Sequence, residues 1–189
     1  MCIRDRGQQV EETDTVQVGK KILQGKQTQK VLAFYKPVGV TCTERDPHAE
    51  KKIMDMIRYP ERLTYAGRLD KDSEGLILLT NDGDLINAMM RGANRHEKEY
   101  IVKTDREITP DFLEKMAKGI YLKDLDITTR ECEIEQIGKF TFRIVLTQGV
   151  NRQIRRMCEY CGCKVLRLCR VRIMNIFLGD LKPGEYRQV

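Results

Sequence analysis
The run from Tyr65 to Thr80, Tyr-Ala-Gly-Arg-Leu-Asp-Lys-Asp-Ser-Glu-Gly-Leu-Ile-Leu-Leu-Thr, limits the folds open to this chain more than any other segment. Its second part, Leu76-Ile77-Leu78-Leu79, is a short unbroken apolar run bounded by glycine and polar residues, and it reads as a buried strand. Its first part crowds two glycines, several carboxylates, a hydroxyl and two bases onto a turn. A carboxylate is thereby set at the edge of a core element. Asp70 has Arg68 two positions before it and Lys71 one after, which suits a carboxylate that acts as a nucleophile or base. Gly67 and Gly75 let a substrate or another backbone segment approach closely. The same residues also suit a plain surface turn with solvated charges, and alone they do not decide between the two.

Around this segment, strand patterns outnumber helical ones. Val31-Leu32-Ala33-Phe34-Tyr35 reads as a strand stopped by Lys36-Pro37-Val38-Gly39, because proline cannot donate to a ladder. Residues 49–58 carry Ile53, Met54 and Ile57 at helical spacing. Asn81-Asp82-Gly83-Asp84 caps a helix with Leu85, Ala88 and Met89 on one face, and Pro110 opens another that runs to about Lys118. Residues 99–104 alternate as a strand, 120–147 read as three strands, a helix spans about Arg152 to Tyr160, and strands follow at 163–169 and 172–178. Residues 10–23 suggest a short hairpin, and 25–30 a polar linker; Met1 to Gly7 has no apolar periodicity and no evident relation to the rest. Hairpin-linked neighbours point to an α+β fold with a mixed, mostly antiparallel sheet and flanking helices.

A chain of 189 residues holds one sizeable core. Its net charge of +6 suits a polyanionic partner, but the distribution says more. Between Asn151 and Arg172 stand seven bases, Arg152, Arg155, Arg156, Lys164, Arg167, Arg170 and Arg172, against the single acid Glu159. Such a stretch is either a solvated helix face or a phosphate-binding surface, and its density favours phosphate. No apolar run approaches the roughly 20 residues needed to span a bilayer, and the N-terminus lacks the apolar core of a secretory signal. Seven cysteines without a regular framework fit a reducing compartment, so a cytoplasmic protein with no membrane association is expected.

Three competing sites are weaker. Asp70, Asp72, Glu74 and Gly75 match the first positions of a calcium loop, but the closing position falls on Asn81, and Leu76 to Leu79 is too apolar for it. Cys158, Cys161, Cys163 and Cys169 are a poor fit to paired zinc knuckles, and the first two can simply line a helix. His48 and His96 lack a neighbouring Ser or Cys in a nucleophile setting and read as loop or RNA-contact residues. No metal is expected.

Gly67-Arg68-Leu69-Asp70 with Asp72-Ser73-Glu74-Gly75-Leu76 resembles the signature of the bacterial ribosomal pseudouridine synthases, the RsuA/RluB/RluE/RluF family. Lys36-Pro37-Val38-Gly39, His96-Glu97-Lys98-Glu99-Tyr100 and Gln148-Gly149-Val150-Asn151-Arg152-Gln153-Ile154-Arg155-Arg156-Met157 fit that family in the same order, so the similarity covers about residues 30–189. Residues 151–159 and 172–175 are most like its 23S-directed RluF branch. The resemblance implies a pseudouridine synthase fold with a central active-site cleft, and isomerisation of a uridine in ribosomal RNA, 23S rRNA first and tRNA as a further candidate. It also implies a monomer that needs no cofactor. By the same resemblance Asp70 is the nucleophile, Arg155 its ion-pair partner and Tyr100 the ring that stacks on the uracil. Arg68, Lys71, Arg152, Gln153, Ile154, Arg156 and Arg167 are the expected RNA contacts. In this family a hairpin like that of residues 10–23 closes an N-terminal S4 RNA-binding domain, so residues 1–29 are expected to be a truncated S4 remnant with a linker, and 30–189 the catalytic domain. Two further readings stay open: a non-catalytic RNA-binding protein on the same fold, and a metal-dependent nuclease built on Asp70, Asp72 and Glu74.

Overall fold
The computed structural model describes residues 15–19, 21–23, 28–43, 50–91 and 95–189. His48 and the N-terminal heptapeptide lie outside the described residues. In chain order the elements are β1 (Val16–Val18), β2 (Lys21–Leu23), β3 (Val31–Lys36), a 3-10 turn (Ile53–Met56), β4 (Thr64–Ala66), β5 (Glu74–Thr80), α1 (Gly83–Met90), β6 (Lys98–Thr104) and α2 (Pro110–Ala117). They continue with β7 (Tyr121–Leu122), β8 (Ile127–Thr128), β9 (Glu133–Gly138), β10 (Thr141–Leu146), α3 (Gln153–Tyr160), β11 (Val165–Ile173), β12 (Ile176–Phe177) and β13 (Tyr186–Gln188). β1 and β2 form a hairpin within the expected 10–23 region, with Val16 opposite Leu23.

A nine-stranded sheet runs β13-β3-β5-β11-β6-β10-β9, with β4 added to β5 and β12 to β11. Only the β5–β11 pair in it is parallel, so the sheet is mixed and mostly antiparallel, as its sequence pattern suggested. β5 is buried on both faces, which explains its unbroken apolar run. Leu76 and Leu78 join Ala33, Tyr35 and Met89 of α1 on one side, while Ile77 and Leu79 join Leu32, Phe34, Ile53 and Leu63 on the other. The other half of the sheet carries a separate cluster, in which Val102, Phe142 and Ile144 meet Phe112 and Met116 of α2 and Ile154 and Met157 of α3.

Several expected elements differ. Instead of a helix over 49–58 there is only the 3-10 turn, with Ile53 fully buried. Thr41 bridges to Lys52 just before it and Ile57 is already extended after it. Pro60 further disfavours helical backbone at the residue preceding it. The region 120–147 holds four strands rather than three, β7 to β10. The strands expected at 163–169 and 172–178 are largely one nine-residue strand, β11, which continues through an irregularity between Arg170 and Arg172. Met174 then turns the chain at φ 51° into the short β12. β4 and β13 have no counterpart in the sequence reading.

The helix starts follow capping chemistry. Asp82 accepts from the amides of Asp84 (2.9 Å) and Leu85 (3.2 Å), and Thr109 accepts from Phe112 (3.2 Å) ahead of Pro110. Asp82→Ala is expected to lower stability by about 1 kcal/mol, read as a fall in the urea midpoint at unchanged m-value. An unchanged midpoint would show that α1 is held by its packing alone. Among the described residues no helix is long and apolar enough to cross a membrane.

Candidate active site
The two halves of the sheet meet where β5 and β11 run side by side, paired only at Glu74–Cys169 and Gly75–Arg170. That contact depends on a missing side chain: a Cβ on Gly75 would lie 2.3 Å from the Arg170 carbonyl oxygen. Beside it opens a cleft of about 610 Å³, walled by Gly67 to Lys71, by the loop from Thr147 to Asn151, by the start of α3, and by Lys98, Tyr100, Leu168 and Arg170 from β6 and β11. Among the described residues Asp70 is the only carboxylate in its wall, beside eight arginines and lysines.

The Asp70 turn is fixed from beneath. Ser73 N donates to Asp70 O at 3.1 Å, and Gly39 N donates to Lys71 O at 2.8 Å, tying the Lys36-Pro37-Val38-Gly39 turn to the one that carries the carboxylate. Lys36 is fully buried there and donates to the carbonyls of Pro37 (2.9 Å) and Val40 (2.8 Å). Burial lowers the Lys36 ammonium to about 8, helped by the positive charge of Arg170 and opposed by Cys42, Asp70 and Asp72. The folded state thus releases this proton more easily than the unfolded chain, whose lysine has the ordinary value of 10.5. Between those two values the unfolded chain binds more protons, so stability contributed by this residue rises with pH. Relative to Lys36→Met, the wild type should gain stability as pH is raised from about 8 to about 10.5, measured by urea unfolding at each pH; parallel curves for the two proteins would refute it.

Asp72, not Asp70, is the carboxylate that Arg152 and Arg155 bind. Arg152 grips it with both terminal nitrogens, at 3.1 and 2.8 Å. Arg155 places Nε 3.2 Å from the same carboxylate and donates to the Asp72 carbonyl at 2.7 Å and to Ser73 Oγ at 3.3 Å. Partial burial pulls the Asp72 carboxyl upward, but the Arg152 hydrogen bonds and the charges of Arg155 and Arg152 outweigh it and hold it below its ordinary value. Arg155 is therefore not in an ion pair with Asp70, as the sequence reading expected; it braces the turn one step away. Arg152 adopts φ 51°, ψ 31°, left-handed backbone that a side chain occupies only when its surroundings insist. Here the Asp72 clamp does so at the mouth of the cleft.

Tyr100 is buried in the cleft wall, in the apolar cluster that includes Leu69, Leu146, Ile154 and Leu168. Arg68 and Lys71 are exposed wall residues. Gln153 and Ile154 line the cleft too, but their side chains serve the protein first. Gln153 is 5% exposed, accepting from Val150 N at 3.3 Å, and Ile154 belongs to the core. Arg156 and Arg167 lie outside the cleft wall: Arg156 pairs with Asp124 and bonds Asn151 O at 3.0 Å, and Arg167 pairs with Glu74.

The basic run of 151–172 is thus not one face. A helix followed by a strand sends its side chains in different directions, and acids from elsewhere in the chain meet most of them. Arg172 bonds Glu97 (2.9 Å) and Glu99 (2.8 Å), whereas Arg170 is 3% exposed inside the protein. The positive lining of the cleft includes four residues that were not among the expected RNA contacts, Arg91, Arg95, Lys98 and Arg170. For Arg170 a signal existed, because it continues the inward positions of a strand after Leu168. His96 also lines the cleft, one ring nitrogen 3.2 Å from Ala88 O.

The competing sites dissolve geometrically. Asp72 faces two arginines, and Glu74 meets Arg167 and the Tyr35 hydroxyl (3.1 Å), so the acids of the turn diverge. Cys158 is buried in the helix core and Cys163 donates to its carbonyl at 3.4 Å, which is packing. Among the described residues no three His, Cys, Asp or Glu side chains form a metal-sized group.

The mixed sheet thus splits at one parallel pair, beside a basic cleft whose wall, among the described residues, holds the single carboxylate Asp70. Residues 30–160 match the RNA pseudouridylate synthase family, and the chain belongs to it. It is 43% identical, over 97% of its length, to the dual-specificity RNA pseudouridine synthase RluF of Salmonella typhi. It is 32% identical over 95% of its length to an uncharacterized RNA pseudouridine synthase of Rickettsia felis, of which it covers 79%. Among solved structures, a pseudouridylate synthase superposes with a TM-score of 0.81 at 27% identity, covering 96% of this chain and 79% of that one. The chain spans 63% of the length of the RluF relative.

Proposed function
We propose that this protein isomerises a uridine to pseudouridine in ribosomal RNA, 23S rRNA foremost, as a cytoplasmic monomer. The observation that carries the reading is Asp70, a carboxylate on a braced turn, sharing with Tyr100 a cleft wall that holds eight arginines and lysines. Isomerisation breaks the N1–C1′ bond, turns the base and rejoins it through C5; a proton leaves C5 and one is taken up at N1, with neither redox change nor hydrolysis. The target base must leave its stack, at a cost of a few kcal/mol that stacking and phosphate contacts offset. Asp70 is the nucleophile and Tyr100 the ring beneath the uracil. Arg152 and Arg155, through Asp72, hold the turn that presents Asp70, while Arg68 and Lys71 meet the backbone. The names of the relatives support the substrate class: RNA for RluF, and the ribosomal large subunit for the 36% identical pseudouridine synthase B of Vibrio cholerae. The β1–β2 hairpin fits the closing part of an S4 RNA-binding domain.

Incubating the protein with 23S and 16S rRNA fragments and tRNA, with and without EDTA, and mapping pseudouridine by carbodiimide-dependent primer stops tests the reading. New stops in 23S rRNA that survive EDTA are expected. Binding without stops would favour a non-catalytic RNA-binding protein, and EDTA-sensitive strand scission a nuclease.

A further inference from the structure
The Arg170 guanidinium is a buried charged group of the cleft wall whose bonding is left open, and its surroundings define what it takes. It is 3% exposed, and among the described residues no carboxylate lies within ion-pair distance of it. Nε donates to Leu76 O at 2.6 Å and Nη1 to Arg68 O at 3.3 Å, which fixes the plane of the group. Nη2 is buried and has no acceptor among the described residues. A buried donor without an acceptor is costly, and a buried cation held only by carbonyls more so. Such a group keeps its place where a ligand completes it.

The position identifies the ligand. Arg170 lies directly opposite Tyr100 in the β6–β11 register, so the two side chains leave the sheet on the same face. Its Nη1 bond goes to Arg68, two residues before Asp70, and its main chain packs on Gly75. Arg170 thus lines the same cleft as the proposed stacking ring and the proposed nucleophile. A phosphate belongs at the exposed arginines of the mouth. What reaches a buried point beside Tyr100 is the flipped base. Arginine offers only donors, and uracil presents two carbonyl acceptors, O2 and O4, whereas cytosine replaces the second with a donor amine.

We infer that Arg170 is a base-recognition residue, whose Nη2 donates to a carbonyl of the flipped uracil and helps the site accept uridine. This rests on the uridine-isomerising reading above. Nε and one N–H of Nη1 are already committed, so Nη2 is the end of the group left for the base.

The test uses the full chain and three versions of one short RNA, carrying uridine, 2-thiouridine or 4-thiouridine at the converted position. A thiocarbonyl sulfur is a poor acceptor, so it weakens a bond from Nη2 while keeping the shape of the base. Single-turnover rates are measured for the wild type, Arg170→Lys and Arg170→Met, each checked for folding by thermal melting. The wild type should be slowed on one of the two thio RNAs by about tenfold relative to the other, as loss of one charge-assisted hydrogen bond requires. Arg170→Met should be slowed about tenfold or more on uridine and should lose that discrimination. A residue that merely supports the fold would slow all three RNAs by one factor and leave the ratios unchanged, which would overturn the assignment. Where neither variant folds, the wild type decides alone: a penalty confined to one thio RNA supports the assignment, and equal rates on both defeat it. Failure of the parent reading is distinct, since the wild type would then form no pseudouridine from the unmodified RNA, and this assignment would fall with it.

Discussion

Asp70→Asn should abolish pseudouridine formation, lowering the single-turnover rate by on the order of 10^4-fold or more, as loss of a covalent nucleophile does elsewhere. The substitution keeps the shape of the side chain, and the bonds that hold the turn are made by the main chain of Asp70 and Lys71, not by the carboxylate. The fold should therefore be untouched. RNA affinity should stay the same or improve slightly, because a negative charge in a basic cleft wall has been removed. Asp72→Asn is the informative contrast. That carboxylate is gripped by Arg152 and Arg155, so its loss frees two cations, relaxes the turn and releases the left-handed backbone at Arg152. A partial fall in rate, about 10- to 100-fold, with lowered stability is expected from a residue that only positions the nucleophile. Quantitative pseudouridine mapping with both variants, beside filter-binding measurements, separates the roles. Near wild-type turnover by Asp70→Asn, or a dead Asp72→Asn with an active Asp70→Asn, would remove Asp70 from the chemistry.

How far the fold could be read from residues depended on how each element is buried. β5 was plain because both its faces are covered, so Leu76 to Leu79 could be nothing but core. α1 announced itself by its Asp82 cap, whose hydrogen bonds are made as its type predicts, and α2 by Pro110 at its start, to which the structure adds the Thr109 cap. β13 could not be seen: Tyr186, Arg187 and Gln188 are all exposed, and the strand exists through its backbone pairing with β3, which leaves no mark on side-chain pattern. The spacing of Ile53, Met54 and Ile57 suggested a helix, but a single buried residue, Ile53, in a 3-10 turn answers it. Local periodicity over ten residues is weak evidence when the flanking chain is pinned by tertiary bonds, as Thr41 and Lys52 are here.

The site was legible as a set of residues and not as a set of pairs. Charge counting along 151–172 saw a positive surface, because a linear count does not include the acids that other parts of the chain bring: Asp72, Glu74, Glu97, Glu99 and Asp124 each meet an arginine of that stretch. Arg155 was assigned to the right turn but to the wrong carboxylate. Two aspartates separated by one lysine look equivalent in sequence, and only the turn closed by Ser73 N on Asp70 O sends one to the cleft and the other to α3. Lys36 and Arg170 were visible in a motif and in a charge count, but their burial was not foreseen, because burial of a charge runs against every compositional expectation.

Gly75→Ala should cost more stability than any other single methyl added to this protein's glycine turns near the cleft. At φ 107° an L side chain is strained, which accounts for about 1–2 kcal/mol. The added Cβ would also lie 2.3 Å from the Arg170 carbonyl oxygen and 2.6 Å from its nitrogen, and both are backbone atoms in the centre of a sheet that cannot rotate aside. Overpacking of that kind adds about 1–3 kcal/mol or more, so the sum approaches the whole stability of a marginal domain. Gly67→Ala isolates the first part: its φ is 88° and an added Cβ would meet nothing within 4 Å, so only the backbone strain remains. Urea midpoints should therefore fall modestly for Gly67→Ala and severely for Gly75→Ala, with the second protein poorly soluble or unfolded. If some Gly75→Ala folds, β5 and β11 must have moved apart, carrying Arg170 away from the Leu76 carbonyl and from the base of the cleft. Activity would then fall further than stability alone explains. Equal midpoints for the two variants would mean that the β5–β11 contact is looser than 2.3 Å implies, and that the two halves of the sheet are not locked together at Gly75.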